Sequence, residues 1–173
     1  ILNQGTLEIS VASASWFFDK QISGAGDVMV TGSNAQTFTW NAAVGGLTND
    51  YSGPTRLFGG ILRAEAGAIS PNSNLQLHGG LFSMMGEFTR SLGSNPGQIQ
   101  MSGDVGFVAR TLPMTVALGG VANPETVVLG RDVSTVGTLT LNDANATANV
   151  VFMNPVDLAG ARLGVRADGA NAM

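Results

Sequence analysis

The chain contains few side chains that commonly act as nucleophiles or bases. Its 173 residues include one histidine, His78, and no cysteine. A Ser-His-Asp triad needs a hydroxyl held by an imidazole that a carboxylate orients, and the Gly-x-Ser-x-Gly turn of many hydrolases does not occur. Because His78 directly precedes Gly79-Gly80, it is interpreted as a turn residue.

Acidic residues are the next group to consider, because paired carboxylates carry the hydrolysis of polysaccharides. The twelve acids are spaced singly along the chain, so we predict no catalytic residue and no enzyme activity. Folding can still bring distant acids together, so a polysaccharide-acting enzyme stays open as an alternative, with Asp27 and Asp104 as residues to test. The acids are Glu8, Asp19, Asp27, Asp50, Glu65, Glu87, Asp104, Glu125, Asp132, Asp143, Asp157 and Asp168.

One segment resembles half of a calcium-binding repeat. Ser23-Gly24-Ala25-Gly26-Asp27 matches part of Gly-Gly-x-Gly-x-Asp, but such sites need the motif in consecutive coils so that stacked turns supply several oxygens. The next comparable segment, Ser102-Gly103-Asp104, is far away in the sequence. We therefore predict a turn stabilised by Asp27, and neither a metal nor any other cofactor.

The composition excludes several classes of protein. Charged residues make up 12% of the chain, about half of the usual ~25%, while hydrophobic residues make up 44%, which excludes intrinsic disorder. The net charge of −4 argues against nucleic acid as a partner. The absence of cysteine excludes a disulfide scaffold, and no apolar run reaches the ~18 residues of a transmembrane helix.

The main structural signal is the alternation of apolar and polar residues, which predicts strands with one buried face. Gly-rich and Asn-rich turns separate the alternating segments, each of about four to six residues. Helical periodicity is hard to find, so we predict an all-β protein. The alternating apolar residues are Leu7, Ile9, Val11; Val28, Val30; Phe38, Trp40; Leu75, Leu77; Ile99, Met101; Met114, Val116, Leu118; and Leu139, Leu141.

Two all-β architectures fit this pattern. A β-sandwich or jelly roll has strands at similar spacing, usually with charged outer faces. A β-solenoid (parallel β-helix) stacks coils whose outer Thr, Ser, Gln and Asn residues lie over one another without charge repulsion. The low charge and the glycine turns favour the solenoid, with an assumed 20–25 residues per coil, and the sandwich remains the alternative.

A family resemblance supports the solenoid. Asn49-Asp50-Tyr51-Ser52-Gly53-Pro54-Thr55, followed by Gly60-Ile61-Leu62-Arg63, resembles the autotransporter-associated β-strand repeat of large bacterial secreted and surface proteins. The similarity extends over about 47–158. It implies a right-handed parallel β-helix, export across the cell envelope, and a role as a stalk, scaffold or adhesive passenger.

The residues of this motif also have a physical interpretation. Tyr51 is expected to place its ring inside or across a corner while Gly53-Pro54 turns the chain. Arg63 and Arg90 are expected to tie loops together through carbonyl or carboxylate contacts. All of these residues are interpreted as structural, so no binding site is assigned to them.

We interpret 1–173 as a single solenoid module, a fragment or processed piece of a larger protein. Trp16-Phe17-Phe18 is expected to belong to the core, although a corner plug, a partial cap or a contact surface is also possible for it. The leading hypothesis is a non-enzymatic extracellular or bacterial cell-surface module that self-associates, through its ends or its lateral faces, into a fibre, stalk or coat. The alternatives are an adhesin that binds a glycan or a host protein, and the enzyme considered above.

Overall fold

The structure, a computed structural model, describes residues 1–12, 15–33, 36–41, 48–133 and 137–169. Within these ranges the regular secondary structure consists of strands. Leu47, where the repeat-like region was predicted to begin, and the last four residues of the chain lie outside the described residues. The strands are β1 (Thr6–Val11), β2 (Trp16–Phe18), β3 (Asp27–Gly32), β4 (Thr37–Trp40), β5 (Thr55–Leu57), β6 (Ile61–Ala64), β7 (Leu75–Leu77), β8 (Gly80–Ser83), β9 (Gly86–Phe88), β10 (Ile99–Met101), β11 (Val105–Phe107), β12 (Met114–Val116), β13 (Val127–Val128), β14 (Thr138–Leu141), β15 (Val150–Phe152), β16 (Val156–Asp157) and β17 (Gly164–Ala167).

The strands stack in four parallel sheets, and this arrangement confirms the predicted β-solenoid. One sheet has the order β1-β3-β5-β7-β10, and a second has the order β17-β14-β11-β8-β6-β4-β2. Smaller sheets have the orders β15-β12-β9 and β13-β16. Each pairing between the described strands is parallel and joins one coil to the next, which excludes the antiparallel pairing of a sandwich.

The seven-stranded sheet gives about six turns of the chain around the axis. Ile61 pairs with Leu81, twenty residues further on, which agrees with the assumed coil length. Val105 pairs with Leu139, thirty-four residues further on. This coil is longer than predicted because of its connecting segments, since the next coil also contains two intervening strands but is shorter, with Leu139 paired to Val165.

The core is a column of inward-facing side chains along the axis. Aromatic rings form its widest part, where the rings of Trp40 and Tyr51 stack with centroids 5.9 Å apart. Trp16 and Phe18 contact the ring of Phe38 and extend this cluster to the first coil. Phe17 points outward and is 54% exposed, whereas Phe18 packs against the buried core. The predicted core role is confirmed for Phe18 and wrong for Phe17, and Trp16 contacts the core rings while about half of its surface stays exposed.

Buried asparagines join neighbouring coils at their corners. The Asn49 side chain accepts a hydrogen bond from the Ile22 amide and donates one to the Ala68 carbonyl. Asn154 accepts from the Leu118 amide at 2.9 Å. Each amide side chain supplies both a donor and an acceptor, so it satisfies backbone groups that the turns leave unpaired. The same role is filled by Asn3 and Asn142. Asn74 acts through its donor alone: Nδ2 donates to the Gly93 and Asn95 carbonyls, while the buried Oδ1 accepts no hydrogen bond.

Glycine at one corner allows the coils to approach closely. A Cβ atom built on Gly53 would lie 2.3 Å from the Gly26 carbonyl oxygen, and one built on Gly26 would lie 2.3 Å from the Gly5 carbonyl oxygen. Gly5, in the first coil, has no atom within 4 Å of the corresponding position. Gly5, Gly26 and Gly53 therefore form a column whose first member faces open space.

Candidate functional site

The first and last coils each expose an inward-facing side chain at the end of the stack. Trp16 faces the core and contacts Phe18 and Phe38, yet it is 52% exposed. At the other end Val165 pairs in register with buried Leu139 and is 61% exposed. Both residues occupy core positions that lack a covering coil among the described residues.

Among the residues that the structure describes, the backbone edges at the two ends have no neighbouring strand either. β2 and β17 are the outermost strands of the seven-stranded sheet, and β1 is the first strand of the five-stranded sheet. Such edges present N–H and C=O groups that another parallel strand can pair with. Each end therefore combines a free edge with an apolar surface.

The outer face of the five-stranded sheet carries a hydrogen-bonded network across four coils. Arg56 forms an ion pair with Asp27 and donates from Nε to Gln76 Oε1 at 3.1 Å. The same oxygen lies 3.4 Å from His78 Nε2, and His78 Nδ1 lies 2.9 Å from Ser102 Oγ. Desolvation, and secondarily the positive charge of Arg56, lower the pKa of His78. The polar side chains of this network are therefore bonded to one another within the chain.

One ring beside this network is exposed to solvent. Phe58 is 49% exposed and stacks against His78 with ring centroids 4.9 Å apart. The ring of His78 covers one face of Phe58 in this way. His78 follows a strand and precedes Gly79, as predicted for a turn residue, and it also links two coils.

A cleft of about 200 Å³ lies beside β9. One wall comes from the segment after β6, which includes Glu65 and Ile69, and the other comes from Met84, Glu87 and Arg90. The Glu65 carboxylate accepts a hydrogen bond from Arg63 Nε at 2.8 Å. The cleft thus contains apolar surface together with charges of both signs.

Arg90 closes one side of this cleft. Its guanidinium donates to the carbonyl oxygens of Ser73 at 2.6 Å, Ser70 at 2.9 Å and Ile69 at 3.3 Å. Burial lowers the pKa of Arg90. Arg90 therefore ties the loop of the preceding coil through carbonyl contacts, which confirms the structural role predicted for it. Arg63 pairs with Glu65, two residues further along the same coil, so this contact is local and does not join two loops.

No protein-family model, curated protein or solved structure matches this chain.

The structure brings together two acids that the sequence left apart. Glu65 and Glu87 line the same cleft, although twenty-two residues separate them. Their separation by about one coil length could have predicted that they are neighbours. That prediction also needs the register, meaning which residues of successive coils lie side by side, and the sequence alone does not determine it. Sequence reasoning missed this cleft for that reason.

The two acids that we named for testing the enzyme alternative bind different partners and do not contact each other. Asp27 binds Arg56, and Asp104 accepts a hydrogen bond from the Thr138 amide at 2.8 Å. In the described ranges no three His, Asp or Glu side chains are grouped so as to hold a metal ion. The same ranges contain no helix long and apolar enough to cross a bilayer.

The Tyr51 prediction is confirmed. Its ring is fully buried, and its hydroxyl shares a hydrogen bond with Thr55 Oγ1, which lies 2.9 Å from Ser73 Oγ. Desolvation raises the pKa of Tyr51, so the phenol remains neutral at physiological pH. It acts as a structural residue at the corner.

Proposed function

We propose that this chain is a non-enzymatic structural module whose copies stack end to end into a fibre or stalk on the outside of a bacterial cell. The observation that carries this proposal is the pair of open ends: Trp16 and Val165 occupy core positions at opposite ends of one sheet, and each is more than half exposed. Stacking one copy on another covers both residues and pairs both free edges. The gain is apolar burial together with backbone hydrogen bonds.

The direction of the strands favours an open assembly over a closed dimer. Because the described strands pair in parallel, the two ends of the stack differ from each other. Contact between the last coil of one copy and the first coil of the next is heterologous, and such contacts continue into filaments unless a rotation closes them. A straight stack supplies no such rotation.

The lateral faces support association at the ends over association at the sides. On the outer face of the five-stranded sheet, Arg56 neutralises Asp27 and the amide of Gln76 bonds to its neighbours. These groups are already satisfied within the chain, so a partner gains little by covering them. At the ends of the stack, by contrast, strand edges and apolar side chains have no such partners among the described residues.

The extracellular setting rests on composition and on the family resemblance. A low content of charged residues limits charge repulsion between stacked coils, and one outer pair, Gln76 and Gln100, joins identical side chains of successive coils. The motif from Asn49 to Thr55 resembles repeats of exported bacterial proteins. Both features support a surface stalk or scaffold.

The test is a substitution that places a charge at the open end. Val165→Lys puts an ammonium group where the next coil would pack, and burying an unpaired charge costs several kcal/mol. Thr115→Lys, on the central strand of the β15-β12-β9 sheet, is the matched control because it adds the same charge to a lateral face. We expect wild type and Thr115→Lys to form filaments as concentration rises, and Val165→Lys to need at least about tenfold higher concentration.

Sedimentation velocity and negative-stain electron microscopy measure this difference. Circular dichroism establishes that both variants retain the wild-type strand content. A wild-type chain that stays monomeric at every accessible concentration contradicts the proposal. So does a Val165→Lys variant that assembles as readily as wild type.

A further inference from the structure

A strand edge in the middle of the solenoid is also free. β9 is the last strand of the sheet β15-β12-β9 and pairs on one side with β12. Gly86 N donates to the Pro113 carbonyl and the Phe88 carbonyl accepts from Ala117 N, so Gly86 and Phe88 are the residues that bond to the β12 side. In a parallel ladder the intervening residue points its N–H and C=O the other way. The backbone groups of Glu87 therefore face away from β12.

The preceding coil leaves this edge open. That coil contains β5 and β6 but has no strand stacked beneath β9, and the segment after β6 forms the far wall of the cleft instead. Among the described residues, no backbone hydrogen bond from Glu87 to this segment is present. The cleft thus lies where one further strand would complete the sheet.

The walls of the cleft suit an extended chain. Ile69, Phe82 and Phe88 provide apolar surface toward the core, and Glu87 projects outward from the strand. Across the part of the chain that the structure describes, Glu65 has its ion pair with Arg63, whereas the Glu87 carboxylate has none. The outer rim therefore carries a carboxylate without an ion-pair partner beside the strand edge.

We infer that the cleft binds a short extended peptide from a partner protein, which pairs with β9 as an added strand. Residues of the peptide beside Phe88 point inward and are small and apolar, because the cleft has only about 200 Å³. A residue beside Glu87 points outward and is Lys or Arg. Backbone pairing supplies the affinity and the alternation of side chains supplies the specificity.

The length of the edge sets the strength of this interaction. β9 has three residues, so the edge extends over roughly 10 Å at ~3.3 Å per residue. Such a contact belongs to the weak, transient class of interfaces. We expect a dissociation constant on the order of 1 mM for an isolated peptide, and tighter binding where several modules meet several peptides.

The experiment is a titration of the isotope-labelled full chain, held at a concentration where it is monomeric by sedimentation. The probe is the capped pentapeptide acetyl-Ala-Val-Lys-Val-Ala-amide, and two-dimensional amide NMR spectra report its site. We expect saturable shifts confined to amides of 64–70 and 84–90. A peptide with N-methylated backbone amides tests the pairing, and a peptide with Glu in place of Lys tests the charge.

Charge reversal on the protein completes the design. Glu87→Arg should weaken binding of the Lys peptide at least fivefold and strengthen binding of the Glu peptide. Glu8→Arg, the same charge reversal at an exposed position of β1, is the matched control and should bind the Lys peptide within twofold of wild type. All three chains are compared by circular dichroism.

Three results overturn the inference. The first is the absence of any shift at peptide concentrations well above 1 mM. The second is equal binding of the N-methylated peptide, which would remove strand pairing as the mode of contact. The third is a set of shifts at β2 or β17 instead of β9, which would place the peptide on the ends of the stack. None of these results decides whether copies of the chain assemble end to end, since that is measured without peptide.

Discussion

Single buried amides hold the corners of this solenoid, where strand pairing stops. Asn154 shows the principle most fully: its Oδ1 accepts from the Leu118 amide, and its Nδ2 donates to the carbonyls of Leu118 and Glu125. A carboxylate in this place would point an oxygen at two carbonyls, and a Leu would leave three backbone groups unpaired. An amide is the side chain that serves both kinds of backbone group at once.

Loss of one such amide should destabilise the fold. We expect Asn154→Ala to lower the free energy of unfolding by on the order of 2 kcal/mol, because a buried donor and buried acceptors lose their partner. Asn149→Ala is the control, since that residue is exposed on the same side of the chain. Urea unfolding followed by circular dichroism measures both, and coincident midpoints would show that Asn154 adds no stability.

At the scale of the coil, the spacing between neighbouring corners depends on the absence of a side chain. Gly26 and Gly53 each turn toward the carbonyl oxygen of the glycine one coil earlier, which leaves no room for a methyl group. Backbone atoms form the obstruction, so a local rotamer change cannot relieve it. The coils themselves would have to separate.

This geometry predicts opposite results for two identical substitutions. Gly53→Ala forces a Cβ against the Gly26 carbonyl and should destabilise the fold by on the order of 1–3 kcal/mol, the range for overpacking. Gly5→Ala places the same methyl group in open space and should change stability by less than about 0.5 kcal/mol. Thermal and urea unfolding compare the two variants. Equal losses would show that the substitutions act through backbone propensity and not through coil contact.

The strands show how much of the secondary structure the alternation of apolar residues predicts. The runs of alternating apolar residues lie on strands, from Leu7 in β1 to Leu141 in β14, because alternation indicates a strand with one face exposed to solvent. Leu118 is the exception, since β12 ends at Val116 and Leu118 lies in the turn that follows. β8 and β11 were not read from alternation, because their residues are buried on both faces. A second apolar cluster, which includes Leu81 and Val108, covers the outside of the seven-stranded sheet there.

The contacts between coils were harder to predict than the strands. The buried ring of Tyr51 and the loop contacts of Arg90 were predicted from the sequence, whereas the contact predicted for Arg63 is a local one with Glu65. The cleft beside β9 was not, because it depends on which residues of successive coils meet. Coil lengths vary along the chain, so the register that joins Glu65 to Glu87 follows from the turns and not from a fixed repeat.

At the scale of the whole molecule, parallel stacking gives the solenoid a direction, so that its two ends differ. The first coil shows Gly5 and Trp16 to solvent, and the last coil shows Val165. A contact between two first coils would pair the strands of the two copies antiparallel, whereas a first coil on a last coil continues the parallel sheets and the column of inward side chains. Head-to-tail growth is therefore the association that we propose.

A mixing experiment separates head-to-tail growth from pairing of like ends. Gly5→Arg blocks the first coil without a steric clash inside the chain, and Val165→Lys blocks the last coil. Each variant alone should remain monomeric, because every head-to-tail contact needs both ends. An equimolar mixture should form dimers and stop there, since the one remaining intact pair of ends joins one copy of each variant. Sedimentation velocity distinguishes monomers, dimers and filaments. Dimers in a solution of either variant alone would show that two like ends pair, and this result would contradict head-to-tail growth.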